Sequence, residues 1–221
     1  MTIDQKILAR LSLLRVQRDR LIAGHGLLEE ALSRHHDDID AWAERRLGDL
    51  TSTDPDDEDV IKFLHAEQQE EAATSYPIIL RSSLFATAFG ILEHFLVSVC
   101  KDLEPIVDGL KLVDLTGSGI ERAHRYLTKC AKVPLVDSPE WQRIILYGRL
   151  RNALVHAQGD LTGNSNLQAI KQLSKMTSTF NLSSDDSTVV LLEGFNPAFV
   201  ATIETFSEQL DAAFDEHWKM S

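Results

Sequence analysis

Apolar residues recur every three to four positions through residues 3–50: Ile7, Leu11 and Leu14, then Leu21, Leu28 and Leu32. That period places one apolar stripe along an α-helix. Gly24 and Gly26 interrupt the stripe, so the segment reads either as one long helix with a kink or as a helical hairpin with a break. The stretch "GDLTSTDPDDEDV" follows, with six acids, one proline and no base. It reads as a solvated loop whose acidic end meets the positive end of the next helix dipole. Helical spacing resumes over residues 60–104. Pro77 is expected to divide this run, with Ser75 as the N-cap of the second half, because proline lacks a backbone donor and clashes with the preceding turn. That second half, "SYPIILRSSLFATAFGILEHFLVSVC", is apolar on most sides and marks the central core helix.

A turn-rich "DLTGSG" leads into a short basic helix over residues 120–132. The next segment, "DSPEWQRIILYGRLRNALVHAQG", carries helix signals at both ends. Ser138 is placed as N-cap, Pro139 at the first helical position, Glu140 in the first turn and Gly159 as the stop, which puts His156 in the final turn. After a loop and a short helix over 167–175, "STVVLLEG" is β-branched and reads as a strand paired with residues near Thr179. Asn196 and Pro197 open a last helix that runs to about Trp218. The expected fold class is all-α, a helical bundle with a small β-hairpin appendage near the C-terminus. Residues 1–56 form an N-terminal helix or helical hairpin with its acidic loop, and residues 57–221 form the bundle domain.

Charge narrows the range of partners. The 221-residue chain has an apolar fraction of 43% and a formal net charge of −12, which argues against a protein that coats nucleic acid with its whole surface. The acidity is uneven. Residues 122–156 hold seven Lys or Arg against two acids, a pattern compatible with one localised anionic ligand. Cys100 and Cys130 lie in apolar helical segments and read as buried thiols of a reducing compartment, ahead of a disulfide or redox role. The N-terminus alternates charged and apolar residues without a signal-peptide core, and "LFATAFGIL" is too short to span a bilayer, so a cytoplasmic protein without membrane attachment is expected.

The candidate chemistry sits at the end of the helix that begins at Ser138. On an ideal helix Asn152 and His156 share one face, with Arg151 roughly 100° around it. Arg151 has the reach to join them, and a guanidinium binds phosphate well. The negative end of the helix dipole favours a charged imidazole and Arg151 opposes it, which suits His156 to giving or taking a proton.

"RNALVH" resembles the R-x4-6-H motif of HEPN-domain proteins, in which the residue after the Arg is by preference Asn, Asp or His. "AFGILEHFLVSVC" is similar to the HEPN core helix, and "VVLLEGFNPAFVATIETF" to the tail of the larger bacterial members. The resemblance covers roughly residues 60–215. It implies a metal-independent endoribonuclease, a toxin of a toxin–antitoxin pair or an antiviral effector. Such a protein acts as a homodimer whose two motifs share one cleft. The implied partners are an RNA substrate and an antitoxin or defence-system protein. Carried over, Arg151 binds and polarises the scissile phosphate. His156 serves as acid or base in attack by the 2′-hydroxyl, and Asn152 orients them. Arg149, Tyr147, Glu93 and His94 are weaker candidates for lining the same cleft. Some members continue past the His as H-x-Tyr, a site of modification, whereas this chain reads His156-Ala157-Gln158.

Ordinary roles are open to each of these residues: an ion pair for Arg151, a helix–helix hydrogen bond for Asn152, a helix-end cap for His156 and rim positions for Glu93 and His94. A non-catalytic HEPN-like nucleotide- or protein-binding module, or an unrelated bundle with an accidental motif, would use them so. No metal or cofactor is expected. His35 and His36 point apart on a helix and read as a solvated face, "TGSG" lacks the lysine and strand of a phosphate loop, and no serine sits in a G-x-S-x-G elbow.

Overall fold

The computed structural model describes residues 2–50, 55–117, 119–134 and 138–219. Helix α1 (Ile3–Gly48) begins at a capping box, in which the Thr2 hydroxyl accepts from Gln5 N and the Gln5 side chain accepts from Thr2 N. It is one continuous helix. Each interior glycine costs a helix about 1 kcal/mol, yet α1 passes through Gly24 and Gly26 because it packs along a second long helix. That helix, α2 (Pro55–Leu103), runs antiparallel to it: Arg10 pairs with Asp102, Glu29 with Arg81 and Asp40 with His65.

The acidic stretch ends as expected, with Asp56, Asp57 and Glu58 in the first turn of α2; its residues 51–54 lie outside the described residues. Pro77 does not divide α2, and Ser75 is an interior residue rather than an N-cap. Two local features compensate for the proline. Ala73, whose carbonyl would accept from a residue at 77, is solvent-exposed, so water can satisfy it. Helix α1 also lies alongside, with His35 edge-on to Tyr76 at 5.3 Å between ring centroids.

By length and composition α2 could cross a membrane, a longer apolar reach than the nine-residue run suggested. Half of its apolar window is buried inside the protein, as befits a central helix. Phe85, Phe89, Leu92, Phe95, Leu96, Val99, Cys100 and Leu103 all enter the core, joined from α1 by Ile7, Leu11, Leu14 and Leu21. Farther along the hairpin burial becomes sparse: Ile39, Ala43 and Ala72 are buried, while Val60 and Phe63 are exposed.

Helix α3 (Gly119–Arg125) continues into a π-helical turn, Tyr126–Cys130. It is held to α2 where the Cys100 thiol donates to Ala123 O. Burial, with Glu104 nearby, pushes that thiol up to about 12. Both cysteines are free, Cys100 buried and Cys130 half-buried. Helices α4 (Pro139–Ala157) and α5 (Leu167–Ser174) precede strands β1 (Phe180–Leu182) and β2 (Val189–Leu191), which pair antiparallel with Phe180 opposite Leu191. Helix α6 (Phe195–Lys219) closes the chain. The fold is an all-α bundle with one small β-hairpin, in agreement with the hydrophobic pattern.

Arg18–Glu204 and Arg15–Asp211 join α1 to α6, and a more buried ion pair fastens the hairpin of long helices to the C-terminal elements. Arg81 forks onto both Glu29 oxygens at 2.8 and 2.6 Å and donates a third bond to Leu191 O at 2.8 Å. Asn196 in α6 donates to Arg81 O. Both charges are about 15% exposed, so removing Arg81 leaves Glu29 buried with only the His25 ring, 3.6 Å away, beside it. Arg81→Ala should destabilise the fold by about 3 kcal/mol, read from the urea midpoint. In the β1–β2 turn, Asp185 accepts from the hydroxyls of Ser183 and Ser187, which hold its carboxyl down at about 2. A depressed acid stabilises the fold above its ordinary value and loses that contribution as pH falls through the folded one. NMR titration should therefore show Asp185 protonating, and the turn loosening, near pH 2.

Candidate functional site

Local sequence defines α4. Trp141 N donates to the Ser138 hydroxyl at 3.0 Å, Pro139 opens the helix, and Glu140 sits in the first turn, where Gln209 Nε2 donates to it at 2.6 Å. That bond holds the Glu140 carboxyl below its usual range. At the other end Gln158 takes the left-handed conformation (φ 51°), one residue before the expected stop, and Gly159 follows at φ 84°. Gly159 N closes back onto Ala153 O at 3.3 Å, so the pair ends the helix together.

Helix α4 buries Ile144, Tyr147, Leu150, Ala153 and Leu154. Helical geometry places Ile145, Gly148, Arg149, Asn152 and His156 on a stripe at the edge of that buried face. The first four line a cleft of about 370 Å³ together with Arg151, with Phe89 and Glu93 from α2, and with Gly119, Ile120 and Glu121 from α3. Gly148 lets α2 and α4 approach here: a Cβ on it would lie 3.2 Å from Phe89 Cζ.

Arg151 and Asn152 meet in this cleft, where Arg151 Nη1 donates to Asn152 Oδ1 at 3.2 Å. Among the described residues Arg151 Nε, shielded from solvent, has no hydrogen-bond partner. Arg149 is also present but paired, its Nη2 donating to Glu121 Oε1 at 3.1 Å. The Glu93 carboxylate lies against the backbone of Gly119. His156 continues the stripe one turn beyond Asn152. It is exposed, is not among the residues lining the cleft, and makes no hydrogen bond or ion pair among the described residues.

Two expected neighbours stand elsewhere. Tyr147 is 1% exposed and packs among Phe85, Phe195 and Phe199, where burial pushes its hydroxyl above the ordinary range. Its position two before Arg149 turns it to the opposite side of the helix, into the core. His94 follows Glu93 by one residue and is likewise turned away; it lines a separate cavity of about 390 Å³ between α1 and α2, with Arg10, Gln17 and Phe95. His35 and His36 are exposed, and among the described residues no three His, Cys, Asp or Glu are placed to hold a metal ion.

Glu121 is the residue that sequence reasoning missed. It lies one position before the basic segment 122–156, so a count of that segment leaves out the acid that faces Arg149. The cleft thus contains two guanidiniums and two carboxylates. It joins an arginine to an amide beside a second, acid-paired arginine and has little net charge of its own. Comparison with protein-family models, with curated proteins and with solved structures finds no match for this chain.

Gly119 suits its left-handed conformation (φ 54°), and a Cβ here would stand 3.0 Å from Glu93 Oε1, so the carboxylate would have to shift. Gly119→Ala should cost about 1–2 kcal/mol of stability in chemical unfolding, with Gly119→Asn costing less because asparagine tolerates a left-handed backbone.

Proposed function

We propose that this chain is a metal-independent endoribonuclease of HEPN type, cytoplasmic and acting as a homodimer, in the manner of a toxin or antiviral effector. One observation carries the reading. Arg151 and Asn152 are joined in a polar cleft, and an exposed His156, without a hydrogen-bond or ion-pair partner among the described residues, continues their helix one turn beyond it.

RNA supplies its own nucleophile, so the protein needs only to position the phosphate and to stabilise charge. Arg151 holds a non-bridging phosphate oxygen, with Asn152 fixing the guanidinium, and stabilises the charge that builds during attack. The 2′-oxygen bonds to phosphorus as the bond to the 5′-oxygen breaks. A 2′,3′-cyclic phosphate and a 5′-hydroxyl end result. His156 gives or takes a proton in this exchange. Because His156 lies past the cleft of its own protomer, the reading calls for a second protomer whose α4 meets the first and closes a composite site. An antitoxin or defence-system protein would be the controlling partner. Modification of an H-x-Tyr tyrosine is not a route open to this chain, since Gln158 occupies that position.

A second reading has its own support. Glu121 and Glu93 balance the two arginines, and a near-neutral cleft suits a HEPN-like module that binds a nucleotide or a protein without cleaving RNA. RNA cleavage by the wild type and by His156→Ala, in the presence of EDTA, separates the two. The ribonuclease reading expects wild-type cleavage that EDTA leaves intact and at least about a 100-fold loss in the variant. Equal rates in the two proteins, or activity abolished by the chelator, would overturn it. An inert wild-type dimer that still binds a partner protein would favour the module.

A further inference from the structure

Within the proposed site, Arg149 and Glu121 form an ion pair whose stability value is small. Both side chains are more than two-fifths exposed, so water and salt screen their attraction. The pair nevertheless lines the same cleft as Arg151, where a second guanidinium could add to it in holding a phosphate. The backbone that carries Glu121 is also placed independently of Arg149. Its helix α3 starts from two left-handed glycines, Gly117 and Gly119. The loop before it is clamped by Arg125, whose Nη1 donates to Thr116 O and Oγ1 at 2.8 and 2.9 Å, and the Cys100 thiol bonds the helix at Ala123. The backbone that carries the acid therefore does not follow the arginine, while its exposed side chain can release Arg149.

We propose that Glu121 is the built-in counter-ion of the cleft, a specificity-determining residue that competes with RNA phosphate for Arg149. A phosphate able to contact Arg151 must share Arg149 with Glu121, and gains its full charge only by displacing the acid. The chain thereby discounts isolated phosphates and free nucleotides, which have few other contacts, in favour of a polynucleotide anchored on either side of the site. This rests on the reading of the cleft as a phosphate site but not on His156 or on catalysis. It also accounts for a neutral cleft inside a locally basic segment. The positive charge is present, held in reserve by an acid that a surface-weight interaction can release.

The test is binding of a fluorescein-labelled single-stranded RNA oligonucleotide in EDTA, measured by anisotropy across a salt series. The proteins are wild type, Glu121→Gln, Arg149→Ala and the double variant, with thermal unfolding confirming that each is folded. Glu121→Gln keeps shape and hydrogen bonding while removing charge. It should tighten binding about three- to fivefold and steepen the log–log salt dependence by about 0.7, the increment for one more phosphate contact on a single strand. Any cleavage should show a KM lowered by the same factor with kcat unchanged, as expected of uniform binding. Arg149→Ala should abolish the gain in the double variant. Unchanged or weaker binding by folded Glu121→Gln would overturn the proposal, as would a gain that persists without Arg149, because the acid would then be positioning the arginine or acting through the general field. The two readings fail separately. His156-dependent cleavage without an effect of Glu121→Gln sinks the counter-ion alone, and the binding gain without cleavage by any variant upholds the counter-ion while sinking the ribonuclease.

Discussion

Phe85 stands 4.8 to 6.2 Å, ring to ring, from Phe89, Tyr147, Phe195 and Phe199, and this cluster ties α2, α4 and α6 into one body. Each ring is buried, and edge-on pairs add about 0.5–1.5 kcal/mol beyond the area they bury. The orientation of α4 follows from it. With Tyr147, Leu150 and Leu154 committed to the rings and their surroundings, the stripe through Arg149, Asn152 and His156 is left at the edge of that packing. Gly148 then sets how near α2 comes, and so shapes the cleft between α2, α3 and α4. The site is the outer edge of a core contact, which explains how one helix serves both.

Electrostatics shapes the site as strongly as packing does. A chain with a net charge of −12 offers an anionic polymer little general attraction, so affinity for RNA would have to be local. On the proposed reading that locality would come from Arg151 and from Arg149, held by Glu121. Low background attraction and a partly masked site together favour ligands that fit over ligands that are merely charged. The same balance would leave a non-catalytic module with a cleft suited to neutral or mixed-charge partners.

Much of the architecture was legible because helix signals act over three or four residues. The Ser138 cap, the acidic first turn of α2, the hairpin of β1 with β2 and the start of α6 depend on side chains adjacent to the backbone they satisfy. Expectation failed where distant chain intervened. Pro77 should end a helix, and in isolation would disfavour it by about 3 kcal/mol. Packing along α1, fifty-odd residues away in the chain at Glu29, carries α2 through. Tyr147 was grouped with the motif by proximity in sequence and His94 by its place beside Glu93 in the core helix, yet one position on a helix is a rotation of roughly 100°, and Tyr147 turns to the core and His94 to the α1 side.

By itself, then, the sequence determined the all-α class, most element boundaries, the helical context of Arg151, Asn152 and His156, and the absence of a phosphate loop or a nucleophile elbow. These are matters of local periodicity and short-range hydrogen bonding. Only the tertiary structure decided that α1 and α2 are unbroken, that Arg151 and Asn152 share a cleft which His156 borders from outside, and that Glu121 faces Arg149 from 28 residues away. The reason is physical. A side chain's charge is written in the sequence, but the field it experiences belongs to whichever elements the core has drawn against it.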